Sequence, residues 1–206
     1  MTKEGFLFPL PFLALSAASF LVFVKFLVLP LAYVSAGLFL FSLLIMLFFR
    51  DPVRRVPDGD KLILSPADGR IIRYDDSSNS PSLSIFLSIF NVHVTRSPVS
   101  GTVKSVVFKA GKFRVAHRDG ARNSNQRNEI ELSTGSGTVL MHQVAGAVAR
   151  RTIFNPEAGQ RLKAGDRVGI IRFGSRVDLD MPAGSKMNVN IKQRVVGGET
   201  VLGRLP

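Results

Sequence analysis

Gly174-Ser175, inside IIRFGSRVDL (170–179), stands where a strand-like apolar alternation stops before resuming with Val177, Leu179 and Met181. Glycine at such a point ordinarily marks a turn or a bulge. The pair also admits a chemical reading. A serine hydroxyl can attack the carbonyl of the preceding residue and convert the peptide bond to an ester. Glycine on the acyl side leaves that carbonyl unhindered and its backbone free. The attack needs a base for the hydroxyl proton and a carboxylate to orient the base, which is triad logic with the chain as its own substrate. Elimination of the ester would leave a dehydroalanine, whose imine tautomer hydrolyses to ammonia and a pyruvoyl group. The G-x-S-x-G elbow of hydrolases is absent, so ordinary acyl transfer is not indicated.

Two residues have the types those other roles require. His93 ends a run in which Ile85, Leu87, Ile89, Asn91 and His93 share one face if the strand is unbroken. It reads equally as a satisfied core histidine and as a proton carrier facing a ligand. Asp68 lies in the Pro–Gly turn Ser65-Pro66-Ala67-Asp68-Gly69, where Asp is also ordinary turn chemistry. His142 is a spare candidate within a strand-like run. The three histidines are widely spaced and the chain has no Cys, which excludes a thiol nucleophile, a disulfide and a Cys-based metal site and argues against zinc.

The elements that must position these residues fall into two parts. Residues 5–49 carry one charge, Lys25, and suit two membrane spans of about 20 residues, read as Phe6–Val24 and Phe26–Phe48 with Lys25 at the turn. The cluster Arg50-Asp51-Pro52-Val53-Arg54-Arg55 follows and favours a cytoplasmic location for both ends of the hairpin. Of the formal net charge of +12, +10 lies beyond residue 50, which points to an anionic partner; after such an N-terminus, lipid head groups fit better than nucleic acid.

Residues 60–206 read as short β-strands separated by Gly, Pro, Ser and Asn. The expected strands are Leu62–Leu64, Gly69–Tyr74, Leu83–Val94, Gly101–Phe108, Asn128–Ser133, Thr138–Gln143, Gly146–Phe154, Arg167–Phe173, Arg176–Leu179 and Lys186–Ile191. Ala110–Arg127 reads as a basic loop. One internal echo stands out: SPADGRI (65–71) and SPVSGTV (97–103) share S-P-x-x-G-x-[IV], and Gly159–Gly169 adds a third turn-rich element. The expected fold is mainly β, a compact barrel or sandwich of short antiparallel strands behind a transmembrane helical hairpin.

In order along the chain, FFRDPVRRVP (48–57), LSPADGRI (64–71), FNVHVTRSPVSGTV (90–103), QRNEIEL (126–132), VAGAVARR (144–151) and AGDRVGIIRFGSRVDLDMP (164–182) resemble phosphatidylserine decarboxylases, in the short form related to archaetidylserine decarboxylases. The resemblance implies a proenzyme that cuts itself between Gly174 and Ser175 into a β chain, 1–174, and an α chain, 175–206, that begins with a pyruvoyl group made from Ser175. It implies Ser175 as nucleophile, His93 as base and Asp68 as its orienter. Longer bacterial members carry HxxH here; this chain has His93 and then Arg96, which leaves open whether His93 serves processing, turnover or both. The implied reaction makes phosphatidylethanolamine and CO2 from phosphatidylserine through a Schiff base to the pyruvoyl group, with no metal, no pyridoxal phosphate and no nucleic acid.

The implied layout is a membrane-anchoring hairpin over 1–50 and a catalytic domain over 51–206, on the cytoplasmic side of the cell (inner) membrane. Other anionic membrane lipid is a further partner, and a homo-oligomer is compatible with the reading. Arg54, Arg55, Arg114 and Arg118 are candidates to hold the head-group phosphate. Two other readings compete. A pyruvoyl decarboxylase of soluble amino acids leaves the hairpin without a purpose. A membrane-anchored barrel-sandwich carrier or adaptor domain needs a lysine at a hairpin tip, and Lys186-Met187 is the sole Lys-Met pair.

Overall fold

In the apolar N-terminus Leu and Ala favour helix between the prolines, and each proline sits at a helix start where no amide donor is missed. The computed structural model describes residues 2–77, 79–113, 121–146, 152–171 and 175–206. They group into two compact units, divided after Pro52.

In the first unit a short helix, α1 (Lys3–Leu7), precedes α2 (Leu10–Phe26) and α3 (Leu29–Phe48). Gly5–Phe26 and Leu29–Phe48 are each long and apolar enough to cross a membrane. The turn comes at Leu27-Val28, two residues later than expected, where Leu27 takes a left-handed φ of 54° and donates its N–H to the Phe23 carbonyl; Lys25 remains in the last turn of α2. Serines join the two helices reciprocally: Ser16 Oγ donates to the Ser35 carbonyl at 2.8 Å and Ser35 Oγ to the Ser16 carbonyl at 2.9 Å. Small polar residues of this kind let helices approach closely and bond in an apolar medium.

Among the described residues the strands of the second unit pair antiparallel, and one helical turn accompanies them. Its elements are β1 (Leu62–Leu64), β2 (Gly69–Asp75), β3 (Ser82–Leu87), β4 (Val94–Arg96), β5 (Gly101–Lys109), α4 (Ala121–Ser124), β6 (Arg127–Thr134) and β7 (Gly137–Val144). They continue with β8 (Thr152–Phe154), β9 (Arg161–Leu162), β10 (Arg167–Ile171), β11 (Ser175–Asp180), β12 (Lys186–Met187), β13 (Arg194–Val195) and β14 (Val201–Arg204). The main sheet runs β13-β2-β3-β11-β7-β6-β5-β9, with two small sheets, β1-β14-β12 and β4-β10-β8. Alternation drives it: Leu83, Ile85, Leu87, Ile130, Leu132, Val139, Met141, Val177 and Leu179 turn one face into a single buried core. Each such side chain contributes roughly 1.5–3 kcal/mol by leaving water.

The expected strand Leu83–Val94 is two strands. Between them Asn91 Oδ1 accepts from both the amide and the hydroxyl of Ser88, at 2.9 and 2.8 Å, and closes a tight turn with Ile89 and Phe90 exposed at its tip. Ile89 and Phe90 continue the apolar lettering, so the break is hidden in the sequence. The strand expected over Lys186–Ile191 shrinks to β12, and the Ala110–Arg127 loop contains α4, with Lys112 bridging to Asn125. Most of the strand expected over Gly146–Phe154 lies outside the described residues; Thr152–Phe154 is β8.

The echo in the sequence is half of a larger duplication. Ser65 Oγ donates to the Ala67 carbonyl and Ser97 Oγ to the Val99 carbonyl, both at 2.7 Å. The two turns interlock through Leu64 N to Pro98 O and Arg96 N to Pro66 O, both 2.8 Å. A second repeat, QRLKAGDRV (160–168) against QRVVGGETV (193–201), answers the first. Gly165 donates to the Ser97 carbonyl and Gly198 to that of Ser65, and both glycines take left-handed φ values, 85° and 77°. β2 pairs with β13 as β5 pairs with β9: Arg70 faces Arg194 where Thr102 faces Arg161. The frame is thus a pseudo-twofold with β1, β2, β13 and β14 in one half and β4, β5, β9 and β10 in the other.

Candidate active site

Ser175 opens β11, the strand held between β3 and β7 in the middle of the main sheet. Its register partner is Leu87, and like Leu87 it is fully buried. Its hydroxyl has no hydrogen-bond partner among the described residues. A buried hydroxyl left unpaired costs about 1–3 kcal/mol, so such a group asks for a functional account. Gly174 itself lies outside the described residues, as do Arg172 and Phe173.

His93 is fully buried and leads into β4. Its carbonyl accepts from Ile171 N at 3.1 Å, which fixes it beside the end of β10, four residues before Ser175. Four residues span at most about 14 Å. His93 Nδ1 lies 2.9 Å from the Asn91 carbonyl oxygen. A carbonyl oxygen only accepts, so Nδ1 carries the proton and donates it, leaving the lone pair of the neutral ring on Nε2. The strand after His93 is anchored by a buried chain of amides: Asn128 Nδ2 donates to Gln143 Oε1 at 3.0 Å, and Gln143 Nε2 donates to Thr95 Oγ1 at 2.7 Å.

Asp68 sits at the same end of the sheet. Arg70 pairs with Phe86 and Phe86 with Arg176, so one register step further places Gly69, Leu87 and Ser175 in one row. The Asp68 turn is joined to the His93 strand through Arg96 N to Pro66 O. Three segments therefore converge, bearing Asp68, His93 and Ser175. The Asp68 carboxylate is occupied elsewhere: both oxygens accept from Arg54 Nη2 at 2.9 Å, and Oδ1 also accepts from Gly197 N at 2.8 Å. Arg54 and Asp68 expose 10% and 15% of their side chains, so this pair is largely desolvated. In the other half of the duplication Ser100 Oγ accepts from Ala164 N at 3.0 Å in the matching place. The cap is common to both halves; the charge belongs to Asp68 alone.

Arg54 thus serves Asp68, a partnership that sequence reasoning missed because 14 residues separate them with no shared period. Arg55 uses its amide on Glu199, and Arg114 and Arg118 lie outside the described residues. Arg96, three residues after His93, is buried and donates to the Gly165 carbonyl at 3.0 Å. His142 belongs to another cluster: its Nε2 lies 3.0 Å from Arg122 Nη2 and 3.3 Å from Asp180 Oδ2, and Arg122 also grips Asp180 through both nitrogens. Burial pushes the Asp180 carboxyl up, but hydrogen bonds from His142 and Arg122 and the Arg122 charge outweigh it and hold it at about 2. Lys186 pairs with Arg204 inside β12 rather than standing at a hairpin tip, which disfavours a carrier lysine.

Residues 41–203 match the phosphatidylserine decarboxylase family. Relatives named phosphatidylserine decarboxylase proenzyme include one from Ehrlichia chaffeensis, 45% identical over 80% of this chain and 76% of its own. One from Aromatoleum aromaticum is 44% identical, with 81% of each chain covered. One from Chlorobaculum tepidum is 40% identical over 90% of both. A match of this length to the family, together with a buried Gly-preceded serine at the head of a central strand, leads to one conclusion: the chain belongs to the phosphatidylserine decarboxylase family.

Proposed function

We propose that this chain is the proenzyme of a pyruvoyl-dependent phosphatidylserine decarboxylase that matures by cutting itself between Gly174 and Ser175. The observation that carries the reading is the Ser175 hydroxyl, buried, without a partner among the described residues, and directly after glycine. Its donor set fits the group it would become, since a pyruvoyl group needs a serine as the first residue of the new chain.

Ser175 Oγ attacks the Gly174 carbonyl carbon while His93 Nε2 takes its proton. The C–O ester bond forms and the peptide C–N bond breaks, freeing the amine of residue 175. Removal of the Cα proton expels the Gly174 carboxylate, and water then replaces nitrogen, which leaves as ammonia. The Asn91 carbonyl holds His93 in the tautomer that can act as base, and Asp68, paired with Arg54, stands at the same sheet end. The pyruvoyl group supplies a carbonyl for the substrate amine and an electron sink for the pair left when CO2 departs.

The hairpin spans the cell (inner) membrane with both ends cytoplasmic, and residues 51–206 are the catalytic domain at the bilayer surface, where the substrate head group lies. Two apolar helices and the following Arg50, Arg54 and Arg55 support this arrangement.

Intact mass of the purified protein under denaturing conditions tests the reading. Two species are expected: residues 1–174, and residues 175–206 lighter than the serine-ended peptide by one ammonia. Ser175→Ala should give one uncut chain. A single uncut chain from folded wild-type protein overturns the proposal. Release of CO2 from carboxyl-labelled phosphatidylserine tests the substrate.

A further inference from the structure

Arg70 and Arg194 are direct register partners across β2 and β13. Opposed positions on adjacent strands hold their Cβ atoms about 4.5–5.5 Å apart, and like charges placed so are destabilising. Both side chains are exposed, and neither has a hydrogen bond or ion pair among the described residues. The fold does not require the pairing. In the other half of the duplication the same position carries Thr102 opposite Arg161. The second positive charge is therefore an addition specific to the half that carries Asp68.

The two arginines line a cleft of ≈530 Å³ together with Asp68, Phe86, Ser88 and Asn91. Asp68 and Asn91 are the residues through which this cleft meets the site: one supplies its buried carboxylate, the other holds His93. Asp68 does not neutralise the arginines, because Arg54 already balances it. Alternation turns Ser175 to the core face with Leu87 and turns Arg70 and Arg194 to the other face, so the cleft and the site meet at the sheet end, where Asp68 and Asn91 lie.

Resting on the function proposed above, we infer that Arg70 and Arg194 form a cradle for the phosphodiester of the substrate head group. Two planar guanidiniums side by side present paired N–H donors that match the oxygens of one phosphate. A phosphate held between them would offset the repulsion of the paired arginines.

The test uses the full chain in neutral detergent, as wild type, Arg70→Gln, Arg194→Gln and the double variant. Chain cleavage, read by mass, reports folding and maturation. Kinetics on monomeric dihexanoyl-phosphatidylserine should show KM raised about 10-fold in each single variant, with kcat changed less than 3-fold. Phosphorus-31 line broadening of glycerophosphoserine should fall with the same variants, while inorganic phosphate broadens little in any of them. Unchanged KM and unchanged broadening overturn the cradle. So does a KM effect seen only on anionic micelles, which would make the pair a general surface charge, or equal loss of inorganic phosphate binding, which would make it a free-phosphate site. Wild type that neither cleaves nor releases CO2 would sink the enzyme reading instead, and the broadening experiment would still decide the cradle.

Discussion

Asp68 poses a question that its twin in the fold can answer. Ser100 performs the same backbone cap, accepting from Ala164 N as Asp68 accepts from Gly197 N. Asp68→Ser should therefore keep the turn and lose only the charge. The cost is the Arg54 guanidinium left buried without its partner, roughly 2 kcal/mol, visible as a lowered Tm. The double variant Arg54→Gln/Asp68→Ser should recover most of that loss. Self-cleavage should stay impaired at least 10-fold in both variants if Asp68 contributes charge to processing. A variant that cleaves at the wild-type rate would reduce Asp68 to a turn residue. The sequence singled out Asp68, His93 and Ser175 by residue type, with turn and core readings beside them, and only the family resemblance joined them into one set. Their partners were not legible there: Arg54, the Asn91 carbonyl and the Thr95–Gln143–Asn128 chain are contacts made only by tertiary structure, and one of them is a backbone atom with no letter of its own.

At the scale of elements, the strands with clean alternation were readable, and the failures have local causes. The run through Ile89 and Phe90 looked continuous because the turn is made by Ser88 and Asn91 while its tip stays apolar. β9 and β13 were missed because two residues each carry no period, although the repeat QRxxxG[DE]xV around them was a signal available to a search at a spacing of 33. The helical turn α4 is tied down by charge rather than by packing: Arg122 bonds Asp180 of β11, with His142 of β7 alongside. This anchor makes a pH prediction. The Asp180 carboxyl is depressed to about 2 from an unfolded value near 4, so its stabilisation is present above pH 4 and is lost as pH falls toward 2. The amount is roughly 2 kcal/mol. Thermal unfolding from pH 5 down to pH 2 should show the loss in wild type, and Asp180→Asn should be destabilised at pH 5 with a flatter profile below it. Parallel profiles would remove the ion pair from the account.

In the unit beyond Pro52, residues 175–206 are threaded through the sheets. β11 is bonded to β3 and β7, β13 to β2, and β14 to β1. A cut before Ser175 therefore frees two chain ends and leaves the strand pairings of the described residues in place. Native gel filtration of matured protein should give one peak with both fragments, and strong denaturant should separate them. Removal of the denaturant should not restore activity, because a central strand would have to re-enter from a separate 32-residue peptide, paying the entropy of association that the single precursor avoided. Recovery of full activity on refolding would contradict this.

The central seat of β11 also sets how long one molecule can work. A dissociable coenzyme can be exchanged when it is spoiled. On the proposed chemistry the reactive group at position 175 heads a strand hemmed in on both sides and is bonded to the polypeptide itself. It cannot be replaced without dismantling the sheet. On the proposed chemistry, each molecule has one reagent for life, a side reaction retires the whole protein, and the cell restores decarboxylation only at the pace of new translation.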